Sequence, residues 1–195
     1  MNGNSISTQF EGAKIEIIEG KYYSYEDHKF SIKQLNLNEN DEVLLSLIRM
    51  TLQNYENTVI YDKFNKLKNK VLQDAYSVEV HHNNPSCGDE ITLRVQVENQ
   101  IIKQLSWDGV GCSISQASSS VMSELTQGIS IEKALELEVS FLELMQGKGQ
   151  IEADEEEIED AVAFSGVARY PARVKCALLS WMALKDALLR AGGSK

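Results

Sequence analysis

Three closely spaced alternating segments, followed by an abrupt change of period, constrain this chain most. Ser77–Val80 alternates apolar and polar side chains, and Ile91–Val97 does so without a break. Ile101–Trp107 follows after a short turn at Glu98-Asn99-Gln100. Period-two alternation marks half-buried strands, and connections this short make sequential strands antiparallel neighbours. After Gly109-Val110-Gly111 the apolar positions Ile114, Ala117, Val121 and Leu125 recur at helical spacing, and Gly128 ends that helix. The expected class is α+β: a small three-stranded antiparallel sheet packed by helices.

Helical signals flank the sheet on both sides. Asn38-Glu39-Asn40-Asp41 has the composition of a helix start, and from Val43 to Phe64 the apolar residues recur as in one long helix or two shorter ones. Asn65-Lys66-Leu67-Lys68-Asn69-Lys70 then reads as a basic, solvated connection. Downstream, Ser130 caps a helix whose apolar face is Ile131, Ala134, Leu135, Leu142 and Met145. Glu152 to Asp160 is acidic and reads as a solvated face or loop. Pro171 opens a last helix with Val174, Leu178, Trp181 and Leu188 inward; it runs to Arg190, and Gly192-Gly193 closes it.

Residues 1–45 differ in character from 46–195, and the expected division falls there. Lys14–Glu19 alternates, Glu19-Gly20-Lys21 can turn and Tyr22–Tyr25 can return, which suits a hairpin, a docking arm or an extended tail. The chain carries 29 acidic and 19 basic residues, a formal net charge of −10, which argues against nucleic acid as a partner. No apolar run approaches the ~20 residues a membrane span needs, and no leader pattern opens the chain. Three cysteines form no disulfide framework, so the expected setting is reducing and cytoplasmic.

Those cysteines sit where chemistry is possible. Cys87 and Asp89 lie two apart in Asn83-Asn84-Pro85-Ser86-Cys87-Gly88-Asp89, where Pro85 and Gly88 favour a sharp bend. Cys112 falls at the first turn of the helix after Gly-Val-Gly. Cys176 falls near the start of the last helix, one turn after Arg173. Helix N-termini favour thiolate, which serves both as metal ligand and as sulfur nucleophile. Three thiols and one carboxylate equal the four donors of tetrahedral zinc. Against this, a lone cysteine is commonly a small buried hydrophobe, and spacings of 25 residues from Cys87 to Cys112 and 64 from Cys112 to Cys176 match no short zinc-finger pattern. Spacing alone leaves both readings open. His81 and His82 compete as ligands, but adjacent strand residues face opposite sides, so at most one can join; His28 is expected to be exposed.

Three motifs in order carry a family resemblance. Asn84-Pro85-Ser86-Cys87-Gly88-Asp89, Gly109-Val110-Gly111-Cys112-Ser113-Ile114-Ser115 with Ala117-Ser118, and Pro171-Ala172-Arg173-Val174-Lys175-Cys176 with Leu179-Ser180-Trp181 resemble the SufU branch of the U-type iron–sulfur cluster assembly proteins, the IscU/NifU N-terminal superfamily. Lys175 stands where the IscU scaffolds carry histidine, and the long gap before Cys176 resembles the SufU insertion, here around Met145 to Ser165. Asp62-Lys63-Phe64 and Asn65–Asn69 depart from the family's His-Tyr and Asn-Pro-Arg pattern. The resemblance implies an IscU/SufU-like fold and a zinc ion held by Cys87, Asp89, Cys112 and Cys176. It further implies a sulfurtransferase-like partner of a SufS-type, PLP-dependent cysteine desulfurase rather than a stand-alone enzyme. Cys87 would accept the persulfide sulfur, a desulfurase histidine replacing it on zinc during docking, and Arg173 would orient or activate the site. Downstream iron–sulfur assembly proteins would take the product. The alternatives are a scaffold carrying a transient iron–sulfur cluster on the same cysteines, and a structural zinc module.

Overall fold

The computed structural model describes residues 57–151 and 154–192, together with three short strands nearer the N-terminus. The chain divides into two units, Met1–Leu52 and Gln53–Lys195. In the first, β1 (Lys14–Ile17) pairs antiparallel with β2 (Lys21–Glu26), Lys14 opposite Ser24, and β3 (Lys29–Phe30) extends the sheet beside β2. The hairpin among the three readings of this segment is therefore the one observed. His28 and the expected helix start at residues 38–41 lie outside the described residues, as does residues 43–56 of the expected helix.

In the second unit, helix α1 is described over residues 57–65. A three-stranded antiparallel meander follows: β4 (Val78–Asn84), β5 (Asp89–Glu98) and β6 (Ile101–Val110), in that spatial order. The strands outrun the alternating segments of the sequence because polar residues at their ends continue the ladder to Asn84 opposite Asp89 and Glu90 opposite Val110. Ile91, Leu93 and Val95 point inward with Val80, Leu105 and Trp107, so the period of two is the burial pattern itself. The β5–β6 turn carries Asn99 at φ 51° and Gln100 at φ 64°; two successive left-handed residues match the right-handed twist of the paired strands.

Helices cover the inner face. α2 (Ser113–Thr126) packs on β6 and α5 (Pro171–Gly192), and α5 lies across β4 and β5. α3 (Ile131–Gln146) stands behind α5, joined to it by α4 (Glu155–Ile158) and a run of 3₁₀ turns, Glu159–Arg169. Phe141 of α3 stacks on Trp181 of α5 at 4.5 Å between ring centroids and meets Phe164 edge-on at 5.7 Å. Every residue of α2 from Ile114 to Ser123 is buried, so this helix has no solvent face over that stretch, unlike the striped one expected. Its serines let neighbours approach closely and return their hydroxyls to backbone carbonyls, Ser119 to Ser115 and Ser123 to Ser120.

One expectation needs correction, and two gain detail. On α3 the core face is Ile131, Ala134, Leu137, Phe141, Leu144 and Met145, while Leu135 and Leu142 are only half-buried. Residues 65–70 are the exposed connection expected, with Asn65, Lys66 and Lys68 open to solvent, but their backbone is also tied to the sheet and α2. Lys68 and Asn69 offer their carbonyls to the indole and backbone N–H of Trp107, at 2.8 and 2.9 Å, and Lys68 N–H donates to Ser120. This strap closes one stretch of the β6 edge, and the α2–α3 link closes another through Ile102 N–H to Ile129. The acidic segment keeps the solvated face expected, with Asp154, Glu156, Glu157 and Glu159 exposed, while Ile158 is buried and Asp160, with Glu124, clasps Lys63 of α1. Among the described residues no helix is long and apolar enough to cross a membrane.

Candidate metal and thiol site

The sheet ends on the side of the β4–β5 connection, where three separate elements deliver the cysteines. The four residues Pro85–Gly88 join Asn84 to Asp89, and Gly88 takes φ +75°, which suits glycine. The carbonyl of Asn84 accepts from Cys87 N–H (3.2 Å) and Gly88 N–H (2.9 Å). Its side-chain oxygen accepts from Ser86 N–H (3.2 Å) and the Ser86 hydroxyl (2.6 Å). Asn84 is itself buried, so the bend is braced from within and is stiffer than proline and glycine alone imply. Sequence reading placed Asn84 in a motif without seeing this role; the Asx-turn potential of Asn before Pro-Ser was the available signal.

Asp89 opens β5 on the inward face, one alternation before Ile91, and is 3% exposed. Its Oδ1 accepts from Cys112 N–H at 3.1 Å, and the Cys112 thiol lies 3.8 Å from Oδ2. Gly111 makes that approach possible, because a Cβ there would stand 3.1 Å from the Asp89 carboxylate and 3.0 Å from Ser115 Oγ. Cys112 is the N-cap of α2, its sulfur accepting from Ser115 N–H at 3.5 Å. Cys176, in the second turn of α5, is 6% exposed and its sulfur is 3.7 Å from that of Cys87. Burial, with hydrogen bonds to Asp89 and Cys87, pushes the Cys176 thiol far above its ordinary range.

One donor atom each from Cys87, Asp89 and Cys176 lies within 4.8 Å of the others. Cys112 borders this cluster through Asp89 and does not belong to its tightest part. Neither histidine joins. His82 meets Asp186 of α5 at 3.0 Å and His81 meets Thr92 on the opposite side of the strand. Arg173 is exposed, with its guanidinium 5.7 Å from the Tyr170 ring. The donor set fits a divalent cation. Among the described residues no basic side chain pairs with Asp89, and a buried carboxylate without a cationic partner is costly. Soft thiolates beside one carboxylate suit zinc.

Known proteins resemble this chain in sequence and in fold. A family model, the NifU-like N terminal domain, matches residues 54–177. The chain is 42% identical over 136 residues to the zinc-dependent sulfurtransferase SufU of Bacillus subtilis (strain 168), covering 69% of this chain and 90% of that protein. It is 38% identical over 144 residues to the iron–sulfur cluster assembly scaffold protein IscU of Streptococcus pyogenes serotype M1, covering 68% and 89%. The crystal structure of the SUF-system protein FiSufU from Fervidobacterium islandicum AW-1 superposes with a TM-score of 0.62 at 35% identity, over 67% of this chain and 93% of that one. A NifU-like N-terminal structure from Brucella abortus, 18% identical with a TM-score of 0.65 over 70% and 94%, shares the fold.

Proposed function

Because the chain belongs to the NifU-like N-terminal domain family, we propose that it is a zinc-dependent sulfur-transfer protein for iron–sulfur cluster assembly, working in the cytoplasm with a SufS-type cysteine desulfurase. The observation that carries the reading is the pairing of an exposed thiol, Cys87, with a buried Cys176 and Asp89 in one cluster. Cys87, Asp89, Cys112 and Cys176 would hold the ion. When bound, zinc would keep the thiols ionised and shield them from oxidation.

Cys87 is the acceptor in this reading. Cys87 is exposed at the tip of a connection, whereas Cys112, also exposed, is fixed as a helix cap and Cys176 is buried. The thiolate of Cys87 attacks the outer sulfur of the desulfurase persulfide; a new S–S bond forms on Cys87 and the desulfurase cysteine leaves as its thiolate. Arg173, one turn ahead of Cys176, supplies positive charge at the rim for the incoming persulfide. In this reading the assembly domain spans 46–195 and residues 1–45 are an extension to it, a boundary a few residues ahead of the division between the two compact units.

A scaffold reading uses the same four donors, and the 38% identical IscU relative gives it weight. Elemental analysis and a visible spectrum of the purified protein separate the two. One zinc per chain in a colourless protein that raises desulfurase turnover supports sulfur transfer. A brown protein with iron and sulfide supports the scaffold.

A further inference from the structure

Beside the thiol cluster lies a groove of about 240 Å³ walled by α1, the start of α2, the 3₁₀ run and the start of α5. It reaches Ser113, the residue after Cys112, and Arg173, one turn before Cys176. Three aromatic rings on its rim are open to solvent: Tyr61 at 66% exposure, Tyr170 at 52% and Phe64 at 38%. Two guanidiniums line it, Arg169 and Arg173, and no carboxylate does. In a chain with 29 acidic residues and a net charge of −10, that local balance is an exception. Among the described residues neither arginine has an ion-pair partner, whereas Lys63 close by is already held by Glu124 and Asp160.

Arg169 is also held in place. Gly149 has φ +73°, and a Cβ there would stand 2.6 Å from Arg169 Cγ, so the arginine stem lies directly on the glycine backbone. Arg173 lies against the Tyr170 ring. Arginines held by such packing lose less freedom when they grip a carboxylate, and arginine with tyrosine is the composition of interface hot spots.

We propose that this groove docks an acidic, aromatic- or aliphatic-tipped segment of the sulfur-donating desulfurase. The volume takes a few side chains, not a helix, so the segment is a short loop or extended stretch. Its carboxylates meet Arg169 and Arg173, its apolar tip enters between Tyr61 and Phe64, and the persulfide arrives beside Cys87. The inference rests on the sulfur-transfer reading and adds to it the surface and the partner chemistry.

The test uses the intact, zinc-loaded protein and measures desulfurase affinity by calorimetry, alongside the concentration giving half-maximal stimulation of turnover. Arg169→Glu is expected to weaken affinity about 10- to 100-fold, Tyr61→Ala about tenfold, and Arg169→Lys by less than Arg169→Glu. Lys103→Glu, an exposed charge reversal on β6 away from the groove, controls for net charge and is expected to leave affinity near wild type. Zinc content and melting temperature establish that each variant is folded. Arg169→Glu and Tyr61→Ala both binding like wild type overturns the groove and leaves the sulfur-transfer reading standing. Equal weakening by Lys103→Glu also overturns it, as does a change in self-association of Arg169→Glu with desulfurase affinity unaltered. If the wild-type protein neither binds nor stimulates the desulfurase, the sulfur-transfer reading falls and takes this inference with it.

Discussion

The two turns of the β4–β5–β6 meander use their residues differently. The β5–β6 turn is two residues long, Asn99 and Gln100; its left-handed backbone reverses the chain and offers the Gln100 carbonyl to Ile131 N–H at the start of α3, and it places no donor atom at the site. The β4–β5 connection has four residues between Asn84 and Asp89, takes its hydrogen bonds from a buried asparagine, and presents a thiol at its tip over a buried carboxylate. One hairpin is built for pairing and the other for placing two donor atoms. Stability and chemistry are therefore separable at opposite ends of the same strand, β5.

Substitutions at the two turns can break or sharpen that contrast. Cys87→Ala has the largest expected effect: desulfurase stimulation falls at least 100-fold, while the melting temperature stays close to wild type because an exposed side chain is removed. Persistent stimulation in a turnover assay would remove Cys87 from the acceptor role. Asp89→Ala is expected to lower zinc retention by about 10- to 100-fold in a chelator competition, since it deletes the buried carboxylate of the cluster; full occupancy would break the ligand assignment. Asn84→Ala should destabilise by about 1–3 kcal/mol in urea titration, because N–H and hydroxyl donors of the bend lose a buried partner, and should slow sulfur acceptance as well. A loss of stability with acceptance untouched would mean that the brace matters only to the fold. The smallest effect is at the other turn. Gln100→Gly should change stability by less than about 1 kcal/mol, since relief of a φ of 64° is offset by glycine's greater freedom in the unfolded chain, and should leave zinc content and sulfur acceptance unchanged.

The same contrast explains what could be read from the sequence. Strands with one wet face announce themselves, so β5 and β6 and the turn between them were legible from alternation. The exposure of segment 65–70 was legible too, but its attachment was not, because it runs through the carbonyls of Lys68 and Asn69 and the charged side chains say nothing about them. On α3 the apolar residues spread over well more than half of the helix, so which of them face inward is decided by packing, as where Phe141 meets Trp181 and Phe164. α2 hid its burial behind serines, which a pattern reading counts as polar. At the site, residue types and motifs named Cys87, Asp89, Cys112 and Cys176. Their arrangement, with Cys176 against Cys87 and Cys112 set apart beside Asp89, follows from packing that periodicity cannot encode. Alternation limited the histidines to one face each, and the pairing of His82 with Asp186 then settled that neither reaches the thiols.

One hydroxyl deep in the helical layer has a bearing on all of this. Ser118 of α2 donates to the carbonyl of Ala177 at 2.6 Å and accepts from the indole N–H of Trp181 at 3.2 Å. Ala177 is the residue after Cys176. Each residue of a helix turns about 100° around its axis, so a slip of a single position in α5 would swing the thiol of Cys176 away from that of Cys87. Two bonds to one oxygen, from points a turn apart on α5, forbid that rotation. The alignment of an exposed sulfur with a buried one is thus gauged from deeper in the interior, by a serine on another helix.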